Sequence, residues 1–226
     1  MFDGVFCPSV TVTDDEGNLD LDLWGRHIDH LAEAGIDGVL LFGSIGEFYS
    51  VSLEDKKRAV SFAVERAAGR MKVFVGVGDT TFSNVLELSR HAARSGADAV
   101  LAVSPYYFGP SPQCAERYFG AIAEAQDLPV VLYNFPARTG TALTPDLVAS
   151  LAARHPAICG IKDTVDCISH TREVIGAVRA VNPEFSVLSG FDEYYLANRS
   201  SGGNGVLCGL TNAVPEVFSR MDKAYK

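Results

Sequence analysis

Short apolar runs rich in β-branched residues recur along the chain. They are Gly4–Cys7, Gly38–Phe42, Val73–Val77, Ala99–Val103, Val130–Tyr133, Cys159–Lys162, Ser186–Leu188 and Gly205–Cys208. Between them, apolar residues fall at the three- and four-residue spacing of a helix face. One run plus one helical stretch occupies roughly 25–30 residues, the size of a single βα unit. The helical stretches carry start and stop signals. Ser52-Leu53-Glu54-Asp55 reads as a capping box ahead of Val60, Ala63, Val64 and Ala67. Thr81 is placed to cap a helix with Val85, Leu88 and Ala92 on one face. Ser111-Pro112 and Thr144-Pro145 each place an N-cap before a proline at the first helical position. Gly35, Gly69 and Gly96 fit helix C-termini.

Alternating strands and helices imply a parallel sheet, because a hairpin cannot join parallel neighbours. Eight such units predict an α/β fold, the closed TIM (β/α)8 barrel. A doubly wound sheet has fewer strands, and the dinucleotide fingerprint GxGxxG is missing; Gly76-Val77-Gly78 supplies only GxG. No low-complexity linker interrupts residues 1–226, which read as a single domain. After the eighth run only Pro215–Lys226 remain for a last helix. The barrel is therefore expected to be truncated there, without a C-terminal helical extension. An open wall with exposed apolar surface is expected where the eighth helix should pack.

Composition narrows the function classes. Hydrophobic residues make up 47% and charged residues 21%, enough to fill a core. Nineteen basic against 28 acidic residues leave a net charge of −9, which argues against a nucleic-acid surface. The apolar runs are too short to span a bilayer, and residues 1–10 lack the pattern of a secretory signal. The cysteines are Cys7, Cys114, Cys159, Cys167 and Cys208, an odd number without a CxxC. They read as reduced thiols, hence a cytoplasmic protein. The five histidines offer no metal cage, so no metal is expected. His27 and His30 flank the apolar stripe Trp24, Ile28 and Leu31, which predicts that both face solvent.

One lysine stands apart from the other five. Lys56, Lys57, Lys223 and Lys226 sit in polar or terminal surroundings, and Lys72 precedes an apolar run. Lys162 ends one, in Ile158-Cys159-Gly160-Ile161-Lys162-Asp163-Thr164. A buried strand rarely carries an ammonium unless the amine is paired or used. A desolvated amine loses proton affinity and attacks carbonyl carbon. The competing reading is a lysine snorkelling from a strand end or paired with a carboxylate.

In a barrel the strand ends converge on one mouth, where the chemistry sits. Ser44, Tyr107, Tyr133, Arg138 and Lys162 all fall at such ends. The amine would attack, the hydroxyls would move protons, and Arg138 or backbone N–H groups would hold a carboxylate. Gly43 and Gly46 let the backbone near Ser44 and Ile45 approach a ligand. Each feature has a structural alternative: a plain turn, packing tyrosines, a surface arginine.

GSIGE (43–47), SPYY (104–107), YNFPARTG (133–140) and GIKDT (160–164) resemble the dihydrodipicolinate synthase / N-acetylneuraminate lyase family over nearly the whole chain. The resemblance implies a TIM barrel and class I (Schiff-base) aldolase chemistry with pyruvate and an aldehyde. No cofactor is implied beyond a covalent imine with Lys162. By motif, Tyr133 would be the general acid/base, and Ser44 would relay protons between Tyr133 and Tyr107. Tyr107 would reach across a tight dimer interface, within a homotetramer built as a dimer of dimers. The Ser44 and Ile45 backbone would bind the pyruvate carboxylate, and Gly190 and Val206 would line the lysine's surroundings.

Substrate choice is less direct. Ile45 stands where the lysine-pathway synthases carry a hydroxyl, and Phe48 where they carry a small polar residue. Asp163-Thr164-Val165-Asp166, YNFP and the segment around Val214-Pro215-Glu216 are similar to the 2-keto-3-deoxy sugar-acid aldolase branch. Arg138 resembles the synthases, which condense pyruvate with aspartate semialdehyde. The expected activity is thus a 2-keto-3-deoxy sugar-acid aldolase, with 4-hydroxy-tetrahydrodipicolinate synthase as the alternative. A non-catalytic barrel that binds a keto acid is the alternative from another class. A phosphate site at Gly202-Gly203-Asn204-Gly205 is disfavoured, because that cluster precedes the eighth strand and lies at the wrong end.

Overall fold

Eight parallel strands close into a barrel in strict chain order in the computed structural model, which describes residues 1–226. They are β1 (Gly4–Pro8), β2 (Gly38–Leu41), β3 (Lys72–Gly76), β4 (Ala99–Val103), β5 (Val130–Asn134), β6 (Ile158–Asp163), β7 (Ser186–Ser189) and β8 (Gly205–Leu207). Outside them run α1 (Leu21–Glu33), α2 (Leu53–Ala67), α3 (Phe82–Ser95), α4 (Pro112–Glu124), the one-turn α5 (Pro136–Thr139), α6 (Pro145–Arg154), α7 (Ile168–Arg179), α8 (Tyr195–Ser200) and α9 (Pro215–Tyr225). Each expected strand is present, with no end moved by more than one residue. No helix is long and apolar enough to cross a membrane.

The barrel closes where β8 pairs with β1, Gly4 opposite Gly205 and Phe6 opposite Leu207. A Cβ on Gly205 would lie 2.0 Å from the Gly4 carbonyl oxygen, and its φ of +118° suits glycine alone. Below the mouth, Phe6 and Phe74 stack at 5.0 Å and Phe2 meets Phe74 edge-on at 4.6 Å. These rings plug the barrel floor, so ligands have access only from the strand C-terminal end.

Helix ends follow their local chemistry. Ser52 Oγ accepts from the Asp55 amide, Ser111 Oγ from Cys114 and Thr144 Oγ1 from Leu147. Thr81 holds its N-cap position without a side-chain bond; Asp79 accepts from the Thr81 amide and the Asn84 side chain instead. Gly35, Gly69 and Gly96 all take positive φ. His27 does not face solvent as the stripe predicted. It is half-buried, with Nε2 3.0 Å from Asn212 Oδ1, and burial lowers its pKa. Asn212 also donates to the Pro8 and Gly209 carbonyls, tying the ends of β1 and β8 together.

The expected open wall is closed. α9 fills it with Phe218, which is buried, and with Asp222. Asp222 accepts from Tyr195 Oη at 2.6 Å and Arg199 at 2.5 Å and pairs with Lys226 at 2.8 Å. Burial works to raise the Asp222 pKa, but the bonds from Lys226, Tyr195 and Arg199 outweigh it and hold the carboxyl below its ordinary value. Its contribution to stability is full above about pH 4, the unfolded carboxylate range, and fades as pH falls through the lower folded value. Arg199→Ala leaves that buried carboxylate without its guanidinium. A loss of about 3–5 kcal/mol in urea unfolding is expected; an unchanged midpoint would show the cluster to be ornamental.

Candidate active site

Parallel pairing puts Tyr133 of β5 directly beside Lys162 of β6, and Asn134 beside Asp163. Side chains alternate along a strand, so one pair enters the barrel and the other faces the helices. Lys162 is 4% exposed, and its Nζ lies 4.4 Å from the centre of the Tyr133 ring. Asp163 points the other way, where Asn134, Thr171 and His170 engage its carboxylate. Lys162 takes part in no ion pair; the carboxylate of its turned-away neighbour is engaged by His170 instead. An amine so placed is positioned to attack the carbonyl carbon of a molecule bound in the mouth. The snorkelling and paired readings of this lysine are both excluded by geometry.

Burial alone does not single it out. Lys56, expected in polar surroundings, is 2% exposed, with Nζ 3.4 Å from the Gly78 carbonyl oxygen and 5.8 Å from the Phe48 ring centre. Burial lowers its pKa against the pull of Asp79. The polar neighbours Glu54, Asp55, Lys57 and Arg58 hid this; Lys56 stands one turn before Ala59 and Val60, on the buried face of α2. Only Lys162 lines the mouth cavity, which has a volume of about 690 Å³. Two thiols close enough to feel its charge are no rivals. Burial pushes Cys7 up to about 12 and raises Cys208 as well, so neither offers a thiolate.

The loop after β2 supplies the second component. Ser44 Oγ lies 3.3 Å from Tyr133 Oη. The Ser44 and Ile45 amides, both on the cavity wall, donate to no protein acceptor. Two free N–H groups side by side form a cradle for a carboxylate. The loop is held in unusual backbone geometry: Phe42 at φ +57° and Glu47 at φ +49° are left-handed without being glycine. Such strain persists only where packing enforces it. Here the Phe42 carbonyl presses on Gly76, where a Cβ would lie 2.2 Å from its oxygen.

Arg138, from α5, lines the cavity with its guanidinium 5.9 Å from the Phe135 ring centre. Gly190 lines it too. A Cβ there would lie 1.9 Å from Thr164 Oγ1 and 3.2 Å from Lys162 Cε. Gly190→Ala is therefore expected to displace the amine and to lower kcat by about a hundredfold, the cost of an ångström-scale misplacement. Wild-type rates would show that the side chains yield freely.

Two expected residues are not brought to the cavity. Tyr107 is 87% exposed at φ +80°, stacked edge-on against Phe108, and Tyr106 takes the place on the wall. Val206 is fully buried in β8 and lies off the cavity surface. Conversely, Thr164 and Asp192 line the cavity although neither was singled out. Alternation could have found Thr164, two residues beyond Lys162. Asp192 lies past the end of β7 in a short helical turn, next to Phe191 which also lines the cavity, so no strand period points to it. Thr164 Oγ1 is buried without a hydrogen-bond partner, and Asp192 accepts from the Leu210 amide at 2.7 Å. Phe48, Tyr49, Phe135 and Phe191 supply an apolar share of the wall.

A floored barrel whose mouth joins an unpaired amine, a phenol in contact with a hydroxyl, and free amides for an acid group defines a Schiff-base lyase. The family model for dihydrodipicolinate synthetases matches residues 1–226. The chain is 38% identical over 226 residues to the putative 2-dehydro-3-deoxy-D-gluconate aldolase YagE of Escherichia coli K12, covering 100% of this chain and 75% of that protein. It is 38% identical over 227 residues to the 4-hydroxy-tetrahydrodipicolinate synthase of Methanosphaerula palustris, covering 100% of this chain and 77% of that one. The crystal structure of YagE in complex with pyruvate matches with a TM-score of 0.97 and 39% identity, over 100% of this chain and 76% of that chain. The chain belongs to the dihydrodipicolinate synthetase family and is an enzyme, a carbon–carbon lyase.

Proposed function

We propose that the protein cleaves or forms a 2-keto-3-deoxy sugar acid, with pyruvate and a hydroxylated aldehyde as the other side of the reaction. The observation that carries this reading is the contact of Lys162 with Tyr133 beside the free Ser44 and Ile45 amides. Lys162 Nζ attacks the 2-keto carbon, whose oxygen departs as water, leaving a protonated imine. The substrate carboxylate lies on the two amides. Tyr133 takes the proton of the hydroxyl on C4, and the C3–C4 bonding pair moves into the imine as the aldehyde leaves. The resulting enamine is protonated at C3, and water releases pyruvate and the free amine. The imine acts as electron sink, so no cofactor is invoked.

The wall beyond the amine suits a hydroxylated chain. Thr164 Oγ1 has an unmet hydrogen-bonding capacity, and the Asp192 carboxylate accepts from hydroxyls. YagE, whose name carries a 2-dehydro-3-deoxy sugar acid, points the same way. A second reading, 4-hydroxy-tetrahydrodipicolinate synthase, is favoured by Arg138, whose guanidinium forms no ion pair and faces the cavity. It would bind the carboxylate of aspartate semialdehyde.

Tyr107 acts in this proposal from outside its own subunit. Its exposure and strained backbone fit a side chain that completes the mouth of a second copy. Gly190 stays in the amine's surroundings, with Val206 behind them. The protein is then a cytoplasmic homo-oligomer, a dimer of dimers, of one barrel domain per chain. Incubation with 2-keto-3-deoxygluconate tests the substrate through pyruvate release, followed by pyruvate with aspartate semialdehyde. Turnover in the second assay alone would replace the first reading by the second.

A further inference from the structure

The register that places Tyr133 beside Lys162 inside the barrel also places Asn134 beside Asp163 outside it. The outer pair anchors a small polar cluster. Asp163 Oδ1 accepts from Asn134 Nδ2 at 2.8 Å, and Asp163 Oδ2 accepts from Thr171 Oγ1 at 3.0 Å. His170, also from α7, places Nδ1 3.0 Å from Asp163 Oδ2 and Nε2 3.3 Å from the Leu143 carbonyl oxygen. The Leu143 amide in turn donates to Asn134 Oδ1 at 3.0 Å. Leu143 lies on the segment between α5, which carries Arg138 and Thr139 into the cavity wall, and α6.

Both nitrogens of the His170 ring therefore face acceptors that have no proton to give. A neutral imidazole carries one N–H and satisfies only one of them; an imidazolium satisfies both. We infer that His170 is a positioning residue that works as an imidazolium, clamping the Arg138-bearing segment against the strand that carries Lys162. The inference rests on the proposed reaction for its consequence in turnover, but not for the clamp itself.

The charged groups acting on the ring are consistent with this. Asp163 from β6 raises the pKa of His170 above the ordinary 6.5, chiefly through its hydrogen bond; burial opposes, and Glu173 from α7 adds to the rise. From the segment before α6 comes the Leu143 carbonyl. A raised histidine pKa gives stability that is complete below about 6.5 and is lost as pH rises through the folded value. Loss of the proton abandons one acceptor. The Asp163 bond, nearer and charged, is retained and the Leu143 arm is released. The strand end with Lys162 then stays in place, while the segment bearing Arg138 loosens. The kinetic signature is a rise in KM for the sugar acid, which shares the cavity with Arg138 and Thr139, at alkaline pH with kcat little changed.

The test uses the full chain. Nitrogen NMR of the imidazoles in the wild-type protein should show His170 with both ring nitrogens protonated at pH 6. Deprotonation should coincide with faster amide exchange across residues 140–144 and with the rise in KM. His170→Gln, which cannot titrate, should carry an elevated KM, about tenfold, at every pH. His170→Arg, a fixed cation with several donors, should restore part of the low KM and remove the alkaline rise. A singly protonated ring at pH 6, or a KM profile identical in wild type and both variants, overturns the clamp. Borohydride trapping of pyruvate on Lys162 in the same samples reports on the proposed reaction separately. Trapping with no clamp refutes only this inference, whereas a protonated clamp without trapping refutes only the reaction.

Discussion

Lys162→Ala is expected to abolish turnover, lowering kcat by at least about four orders of magnitude, as removal of a covalent nucleophile does. The change deletes the atom that joins the substrate, and no neighbour replaces it. The thiols of Cys7 and Cys208 are held protonated by burial. Lys56 is buried, but its amine meets Gly78 and Phe48 away from the cavity surface. Borohydride with pyruvate should add a stable mass to the wild-type peptide containing Lys162 and none to the variant. The truncation empties space in the barrel interior, so the variant's fold should be checked by thermal melting. Pyruvate that still stabilises a folded Lys162→Ala protein would be held by the Ser44 and Ile45 amides alone. An adduct on any other residue, or turnover without Lys162, would end the imine reading and favour a barrel that only binds keto acids.

The distribution of legible and illegible features follows from the range of the forces involved. Strand positions were readable because a buried parallel strand must be apolar along a short run, and that is local. Helix starts at Ser52, Ser111 and Thr144 were readable for the same reason, each cap acting within three residues. Asp163 was not. After Lys162 it looks like the beginning of a turn, yet it is the last residue of β6, 1% exposed. What permits its burial comes from Asn134 on another strand and from His170 and Thr171 on the following helix. No local rule foresees a carboxylate with three donors waiting outside the barrel.

The tandem Tyr106-Tyr107 was illegible in a different way. Either ring can line a mouth, and the choice is made by the backbone. Tyr107 at φ +80° turns outward while Tyr106 packs edge-on against Phe48 at 5.6 Å. The closed eighth wall shows the same limit. By length alone, the 12 residues from Pro215 predict a helix too short to seal a barrel. They suffice because Asp222 reaches Arg199 and Tyr195 on α8, and the two short helices close the wall together. The lysine, the phenol and the serine were legible because each follows an apolar run and the barrel brings all run ends to one rim.

Tyr133→Phe separates the two functions that the tyrosine serves. Its ring packs 4.4 Å from Lys162 Nζ, a contact that phenylalanine keeps. Its hydroxyl touches Ser44 Oγ at 3.3 Å, a contact that phenylalanine loses. The variant should therefore fold, retain the amine in place and still trap pyruvate with borohydride, more slowly. Cleavage of the sugar acid should fall by about two to four orders of magnitude in kcat, the usual share of a general acid–base group. A phenol, with an intrinsic pKa of about 10, needs a polar partner to exchange protons near neutrality. Ser44→Ala should accordingly reduce kcat in the same direction but less, because Tyr133 remains and water can take the place of the lost hydroxyl. Combining the two should cost little more than Tyr133→Phe alone, since residues in one relay are not additive. If the losses instead multiply, the serine and the tyrosine act on different steps. If Tyr133→Phe turns over normally, the proton on C4 leaves by another route, and the contact between the two hydroxyls is packing.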